Sequence, residues 1–83
     1  MEMVITRVFV PAAGCELDVW FPRDLNAQEA AKMAAKAIED LYGEGFRSSR
    51  SCVLAWRNTG ELLNPTKTLA ECGVVTSSRL III

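Results

Sequence analysis

The sequence contains no histidine, and charge of neither sign is in excess, because nine Lys and Arg stand against ten Asp and Glu. Without histidine, a serine or cysteine nucleophile has no imidazole as its usual base. A net charge of −1 provides no field that would attract a phosphate backbone or an anionic lipid surface. These shortages argue against catalysis, nucleic-acid binding and membrane-surface binding.

The sequence also has few residues with the spacing that metals and cofactors require. It has no glycine-rich phosphate loop and no paired Asp or Glu at metal-ligand spacing, and its three cysteines, Cys15, Cys52 and Cys72, form no Cys-x-x-Cys pair. Arg47 and Arg50, with the serines between them, could bind phosphate, but a solvated loop is the favoured interpretation. We therefore predict a protein that is not an enzyme, with no catalytic, cofactor-binding or metal-binding residues.

Long apolar runs are missing as well. No stretch approaches the ~18 apolar residues of a membrane span. The first residues include Glu2 and Arg7 instead of the basic flank and apolar segment of a signal peptide. An odd number of widely spaced cysteines argues against a disulfide framework, so we expect reduced and dispensable thiols, with Cys15 the most reactive because it borders a loop. The expected location is the cytoplasm.

Hydrophobic residues, by contrast, make up 51% of the 83 positions, enough for the core of a single domain over residues 1–83. Residues 3–10 are rich in β-branched side chains, and residues 15–21 alternate strictly between the two faces of a strand. The Pro11-Ala12-Ala13-Gly14 segment between them is typical of a hairpin loop. The alternation sends Glu16, Asp18 and Trp20 to one side and Leu17, Val19 and Phe21 to the other.

A helix is predicted from Ala27 to Tyr42. Asn26 and Glu29 have the spacing of a capping box at its start, and Gly43 and Gly45 indicate its end. Helical periodicity predicts a core-facing stripe made mostly of small side chains, which would let the helix lie close to its partner surface. The stripe consists of Ala27, Ala30, Ala34, Ala37, Ile38 and Leu41.

The rest of the chain predicts short elements. After a polar loop over residues 47–51, we expect a third strand over 52–57, a turn over 58–60 and a short fourth strand over 61–63. Thr68 and Glu71 form a second capping box that would start a single 3₁₀ turn, and residues 79–83 form a last strand. The predicted fold class is α+β: a mixed sheet of four to five strands packed on one helix, with the last strand parallel to the first. This arrangement is a β-grasp.

The elements in this order resemble ubiquitin-like proteins over nearly the whole chain. Four segments carry a closer likeness within that class: residues 10–13, 20–25, 60–65 and 69–74. In these segments the sequence is similar to the small YukD/EsaB-like proteins of type VII, or WXG100, secretion loci. Cys72 and the Ser77-Ser78 pair depart from the pattern of that family, where a small residue and an Asn-Gly type of turn are typical. The resemblance implies a non-catalytic protein–protein interaction module, an accessory or regulatory component whose partners belong to the secretion machinery.

Two other functions stay open. A ubiquitin-like modifier or sulfur carrier is disfavoured, because such proteins present a flexible Gly-Gly tail, whereas this sequence ends in Leu80-Ile81-Ile82-Ile83. A structural or oligomerisation domain within a larger complex, with no regulatory role, is the other alternative. Self-association as a homo-oligomer also stays open.

An apolar surface is predicted on the side of the sheet that the helix does not cover. If Arg7, Glu16 and Asp18 point to water, several apolar side chains share their face, and exposed patches of this kind usually mark an interface. The alternatives are that these bulky side chains merely shield the neighbouring strands, or that the register is shifted by one residue, in which case the patch does not exist. The predicted protein-binding residues are Ile5, Phe9, Trp20, Val53, Ala55, Ile81 and Ile83.

Overall fold

A computed structural model describes residues 2–11, 13–42 and 52–83. The elements are β1 (Met3–Val10), β2 (Cys15–Pro22), α1 (Ala27–Tyr42), β3 (Leu54–Trp56), α2 (Leu69–Cys72) and β4 (Arg79–Ile82). These four strands form one mixed sheet in the order β2-β1-β4-β3, in which β1 is antiparallel to β2 and parallel to β4. This architecture confirms the predicted ubiquitin-like β-grasp.

The register of the β1–β2 hairpin follows the predicted alternation. Phe21 is completely buried and its neighbour Trp20 is exposed, as expected for successive residues of a half-buried strand. Gly14 closes the loop with a φ of 65°, a conformation that costs glycine little. Among the described residues, Thr6 is the one buried polar side chain, and its hydroxyl donates a hydrogen bond to the Val19 carbonyl at 3.2 Å. The core contribution of β1 consists of Val4, Thr6, Val8 and Val10.

Helix α1 begins where the capping residues predict. The Asn26 side-chain oxygen accepts a hydrogen bond from the Glu29 backbone N–H at 2.8 Å. The buried stripe is wider than predicted, because Ala31 and Ala35 are also buried, and among residues 27–41, whose side chains the structure describes, Ile38 is its last member. The prediction for Leu41 was wrong: it is 67% exposed and lies almost one turn beyond Ile38.

The middle of the chain has less regular structure than predicted. Strand β3 covers only Leu54–Trp56, although Val53 still exchanges backbone hydrogen bonds with Ile83 at 2.9 and 3.2 Å. Residues 61–63 do not form a strand of their own, because they make a single bridge, between Leu62 and Ala55. The described sheet therefore has four strands.

The second capping box is complete. The Thr68 hydroxyl accepts a hydrogen bond from the Glu71 backbone N–H at 3.1 Å, and the Glu71 carboxylate accepts one from the Thr68 backbone N–H at 2.9 Å. The backbone hydrogen bond from Thr68 is the main reason why the pKa of Glu71 is lowered. The turn that follows, α2, is α-helical and not the predicted 3₁₀ turn, and Gly73 ends it with a φ of 90°.

We expect the Thr68→Ala variant to lose about 1 kcal/mol of unfolding free energy, because the amide of Glu71 then loses its acceptor. Urea denaturation followed by circular dichroism would measure this loss. The Thr68→Ser variant keeps the hydroxyl and serves as the control. Equal stability of the two variants would show that the cap does not contribute.

Several predicted features lie outside the described residues: the glycine stop at Gly43 and Gly45 and the polar loop over residues 47–51. The three cysteines belong to the described part, where they are half-buried and form no disulfide with one another. Among the described helices, none has the length and apolar character needed to cross a membrane.

Candidate functional site: the outer face of the sheet

The outer face is the surface of the sheet opposite α1. The burial pattern of β1 identifies its residues, because Ile5, Arg7 and Phe9 alternate with buried positions. Cross-strand neighbours of these three share the face, because directly paired residues point to the same side of a sheet. The pairs are Ile5 with Trp20, Arg7 with Asp18 and Arg79, Phe9 with Glu16 and Ile81, and Ile81 with Ala55.

One end of the outer face is apolar and open. We call Met3, Ile5 and Trp20 the Trp20 cluster; the indole is 58% exposed and Met3 is 41% exposed. The next residue, Phe21, fills the core instead. An indole exposed on a rigid strand places a large apolar surface in water with no core contact to compensate. Such a side chain is well suited to anchor a partner.

A charged row crosses the middle of the face. Arg7 lies between two carboxylates, with its Nε 3.5 Å from Asp18 and its Nη1 3.9 Å from Glu16. Arg79 is the register partner of Arg7 on β4, and it makes no ion pair with any described residue. Within the described part of the chain, the row therefore carries one guanidinium that is not paired with a carboxylate.

A shallow groove runs along this row toward the turn that precedes β4. The turn is held against β1 by hydrogen bonds from the Ser77 N–H to the Ile5 carbonyl at 2.8 Å and from the Arg7 N–H to the Ser78 carbonyl at 3.0 Å. Ser77 has a φ of 77°, unusual for a residue with a Cβ. The groove is lined by Ile5, Arg7, Asp18, Thr76, Ser77 and Arg79.

At the other end, Phe9 is not open to a partner. The Arg57 guanidinium lies over its ring, with Cζ 4.4 Å from the ring centroid, and the same group pairs with Glu16. A cation over an aromatic face is attracted by the ring quadrupole. Phe9 is therefore half-buried beneath an ion pair.

The predicted exposure was wrong for Ala55, which is completely buried. Its methyl group lies between the larger side chains of Ile81 and Leu62, its paired residues on either side. Val53 and Ile81 are half-buried, and Ile83 is 61% exposed. The predicted residues thus do share one face, but the charged row divides them into two apolar ends.

Sequence analysis missed four outer-face residues: Met3, which the alternation of Ile5 and Phe9 also assigns to this face, and Arg57, Arg79 and Leu62. The alternation that assigned residues 53 and 55 to this face also assigns 57, and the alternation of 81 and 83 also assigns 79. Leu62, 57% exposed, had no such signal because its segment forms only one bridge. Within the described ranges, no three metal-ligating side chains converge.

Comparison with solved structures shows the same fold in ubiquitin-like domains. The EccD5 ubiquitin-like domain from Mycobacterium xenopi superposes with a TM-score of 0.81 at 16% identity, over 100% of this chain and 94% of that one. The ubiquitin-like domain of the Mycobacterium tuberculosis type VII secretion protein EccD1 gives a TM-score of 0.71 at 17% identity, over 96% and 98% of the two chains.

A chain of the MycP5-free ESX-5 inner membrane complex also superposes, with a TM-score of 0.80 at 19% identity. All of this chain is covered, but only 21% of that longer one. No family model and no curated protein sequence matches the chain. Similarity at these identities establishes the ubiquitin-like fold.

Proposed function

We propose that this protein is a non-catalytic ubiquitin-like interaction module, an accessory or regulatory component of a bacterial type VII secretion system. It acts in the cytoplasm and binds a protein of the secretion machinery through the outer face of its sheet. The observation that carries the proposal is Trp20, 58% exposed on a strand whose next residue is completely buried.

The secretion context is supported by the two EccD ubiquitin-like domains, which match nearly whole chain to whole chain. It is also supported by the sequence patterns over residues 20–25 and 69–74, which are similar to those of the YukD/EsaB-like proteins of WXG100 loci. Fold similarity alone does not assign a function, so the binding surface has to be argued from its residues.

The Trp20 cluster supports a protein partner because it combines an aromatic anchor with a polar surround. Large aromatic side chains dominate the energetics of protein interfaces, and their truncation commonly costs about 2 kcal/mol of binding free energy or more. The charged row beside the cluster is typical of an interface rim. A second copy of this chain would be an alternative occupant of the same surface.

The genetic test removes the gene and measures export of WXG100 proteins. We expect export or expression of the machinery to fall, and to be restored by the wild-type gene but not by a Trp20→Ser gene. The control is Met33→Ser, which changes an exposed apolar residue on α1. Unchanged export and unchanged expression after deletion would contradict the secretion role.

The same pair of variants tests the surface in vitro. Trp20→Ser should stay within about 1 kcal/mol of wild-type stability, because the indole is outside the core. It should weaken capture of the partner, or of a second copy, by about 30-fold, the equivalent of one strong interface residue. Calorimetric titration and analytical ultracentrifugation measure these two events separately. Full binding by Trp20→Ser would place the interface elsewhere.

A further inference from the structure

From the groove and the Trp20 cluster together, we infer that the outer face recognises an acidic peptide segment of its protein partner, with a carboxylate beside Arg79 and an apolar side chain on Trp20. This inference rests on the proposed function and adds the chemistry of the partner. It starts from the contrast between the charge of the chain and the charge of this face.

The whole chain carries a net charge of −1, yet its outer face has an excess of arginine. Two of the three guanidinium groups there are held by carboxylates: Arg7 by Asp18 and Glu16, and Arg57 by Glu16. Arg79 has no such partner among the described residues, although it is the neighbour of Arg7 across the sheet. Like charges on directly paired residues of a sheet repel each other, and a carboxylate of a partner beside Arg79 would offset that repulsion.

Because the groove adjoins the apolar Trp20 cluster, we expect its ligand to combine an anionic group with an apolar side chain. Ile5, at one side of the groove, also belongs to the apolar Trp20 cluster. Trp20 on β2 and Arg79 on β4 lie on either side of β1, so they are two strand spacings apart across the sheet. Their partners on β1, Ile5 and Arg7, are two residues apart along the strand. With strands about 4.8 Å apart and a rise of about 3.3 Å per residue, the separation is about 12 Å. In an extended peptide that distance joins side chains about four positions apart.

A peptide fits these features better than a nucleic acid does. Asp18 and Glu16 lie on the same face, so a backbone with a charge at every phosphate is repelled there more strongly than a peptide that places one carboxylate beside Arg79. Only one guanidinium remains unpaired among the described outer-face residues, whereas phosphate recognition gains its strength from many contacts. A single side-chain carboxylate matches one unpaired guanidinium and its neighbour.

The test uses two capped peptides of about twelve residues. The first carries two leucines and, about four positions later, three glutamates; the second has glutamines in place of the glutamates. NMR titration at low salt should shift the amide resonances of Ile5, Ser77 and Arg79 with the first peptide. We expect the second peptide to bind about fivefold more weakly, and added salt to reduce the difference.

Two variants distinguish a specific contact with Arg79 from a general effect of positive charge on peptide binding. Arg79→Gln should weaken binding of the acidic peptide at least about threefold, while Lys36→Gln, which removes a charge from the exposed side of α1, should stay within about twofold of wild type. Equal binding of both peptides, no shift at about 1 mM peptide, or tighter binding of a mixed-sequence oligonucleotide would each overturn the inference. If Trp20→Ser loses the partner while Arg79→Gln binds it normally, the interaction surface stands and only the acidic specificity fails.

Discussion

The Phe21→Ala variant should lose about 3–5 kcal/mol of unfolding free energy, the largest effect expected from a single change on β2. Its ring is completely buried and pairs across the sheet with Val4. Removing it deletes most of an aromatic side chain from a small core and leaves a cavity that the sheet cannot close. A domain of this size has only about 4–12 kcal/mol in total, so the variant would lie near the limit of folding.

Urea denaturation monitored by circular dichroism would measure this loss. The matched control is Trp20→Ala, one residue away on the same strand, which should stay within about 1 kcal/mol of wild type because the indole is in water. The reverse order, with Trp20→Ala unfolded and Phe21→Ala stable, would mean that the strand faces the other way. The Trp20 cluster would then not exist.

The Ile38→Ala variant should lose about 2–5 kcal/mol, the second large effect. Among the α1 side chains that the structure describes, residues 27–41, Ile38 is the one bulky member of the buried stripe, and the other buried residues are alanines. The alanines let the helix lie close to the sheet, but they contribute little apolar area, so much of the helix–sheet packing depends on this one residue.

Leu41→Ala on the same helix provides the control. Its side chain is 67% exposed, and alanine has a high helix propensity, so the change should stay within about 0.5 kcal/mol of wild type. Thermal unfolding of the two variants, measured side by side, tests whether Leu41 lies outside the buried stripe. A loss of several kcal/mol in Leu41→Ala would restore the stripe predicted from the sequence.

Local periodicity predicted those parts of the fold where one face of an element is buried along its whole length. In β2 a shift of one residue would bury Trp20 and expose Phe21, so the alternation of apolar and polar residues determined the register. The two capping boxes located the starts of both helices, since each depends on residues only three positions apart. These signals are complete within a short segment.

Failures occurred where burial depends on distant neighbours. Leu41 has the periodicity of a core residue, but the end of the core along the helix axis is set by the sheet, which the helical pattern does not contain. Ala55 lies on the predicted face, yet Ile81 and Leu62 enclose it. Likewise Phe9 on β1 is covered by Arg57 at the end of β3, and this contact between distant positions leaves no signal in either segment alone.

The parallel pairing of β1 with β4 also has a consequence for how the chain reaches this structure. The β1–β2 hairpin and helix α1 can form from contiguous sequence, but the centre of the sheet requires Arg7 to meet Arg79 and Phe9 to meet Ile81. Contacts between such distant positions slow folding, because the intervening loop must be closed before they form. During synthesis, the inner edge of β1 therefore remains without its strand partner until β4 has been translated, and over that interval it is an exposed site for mispairing or for a chaperone.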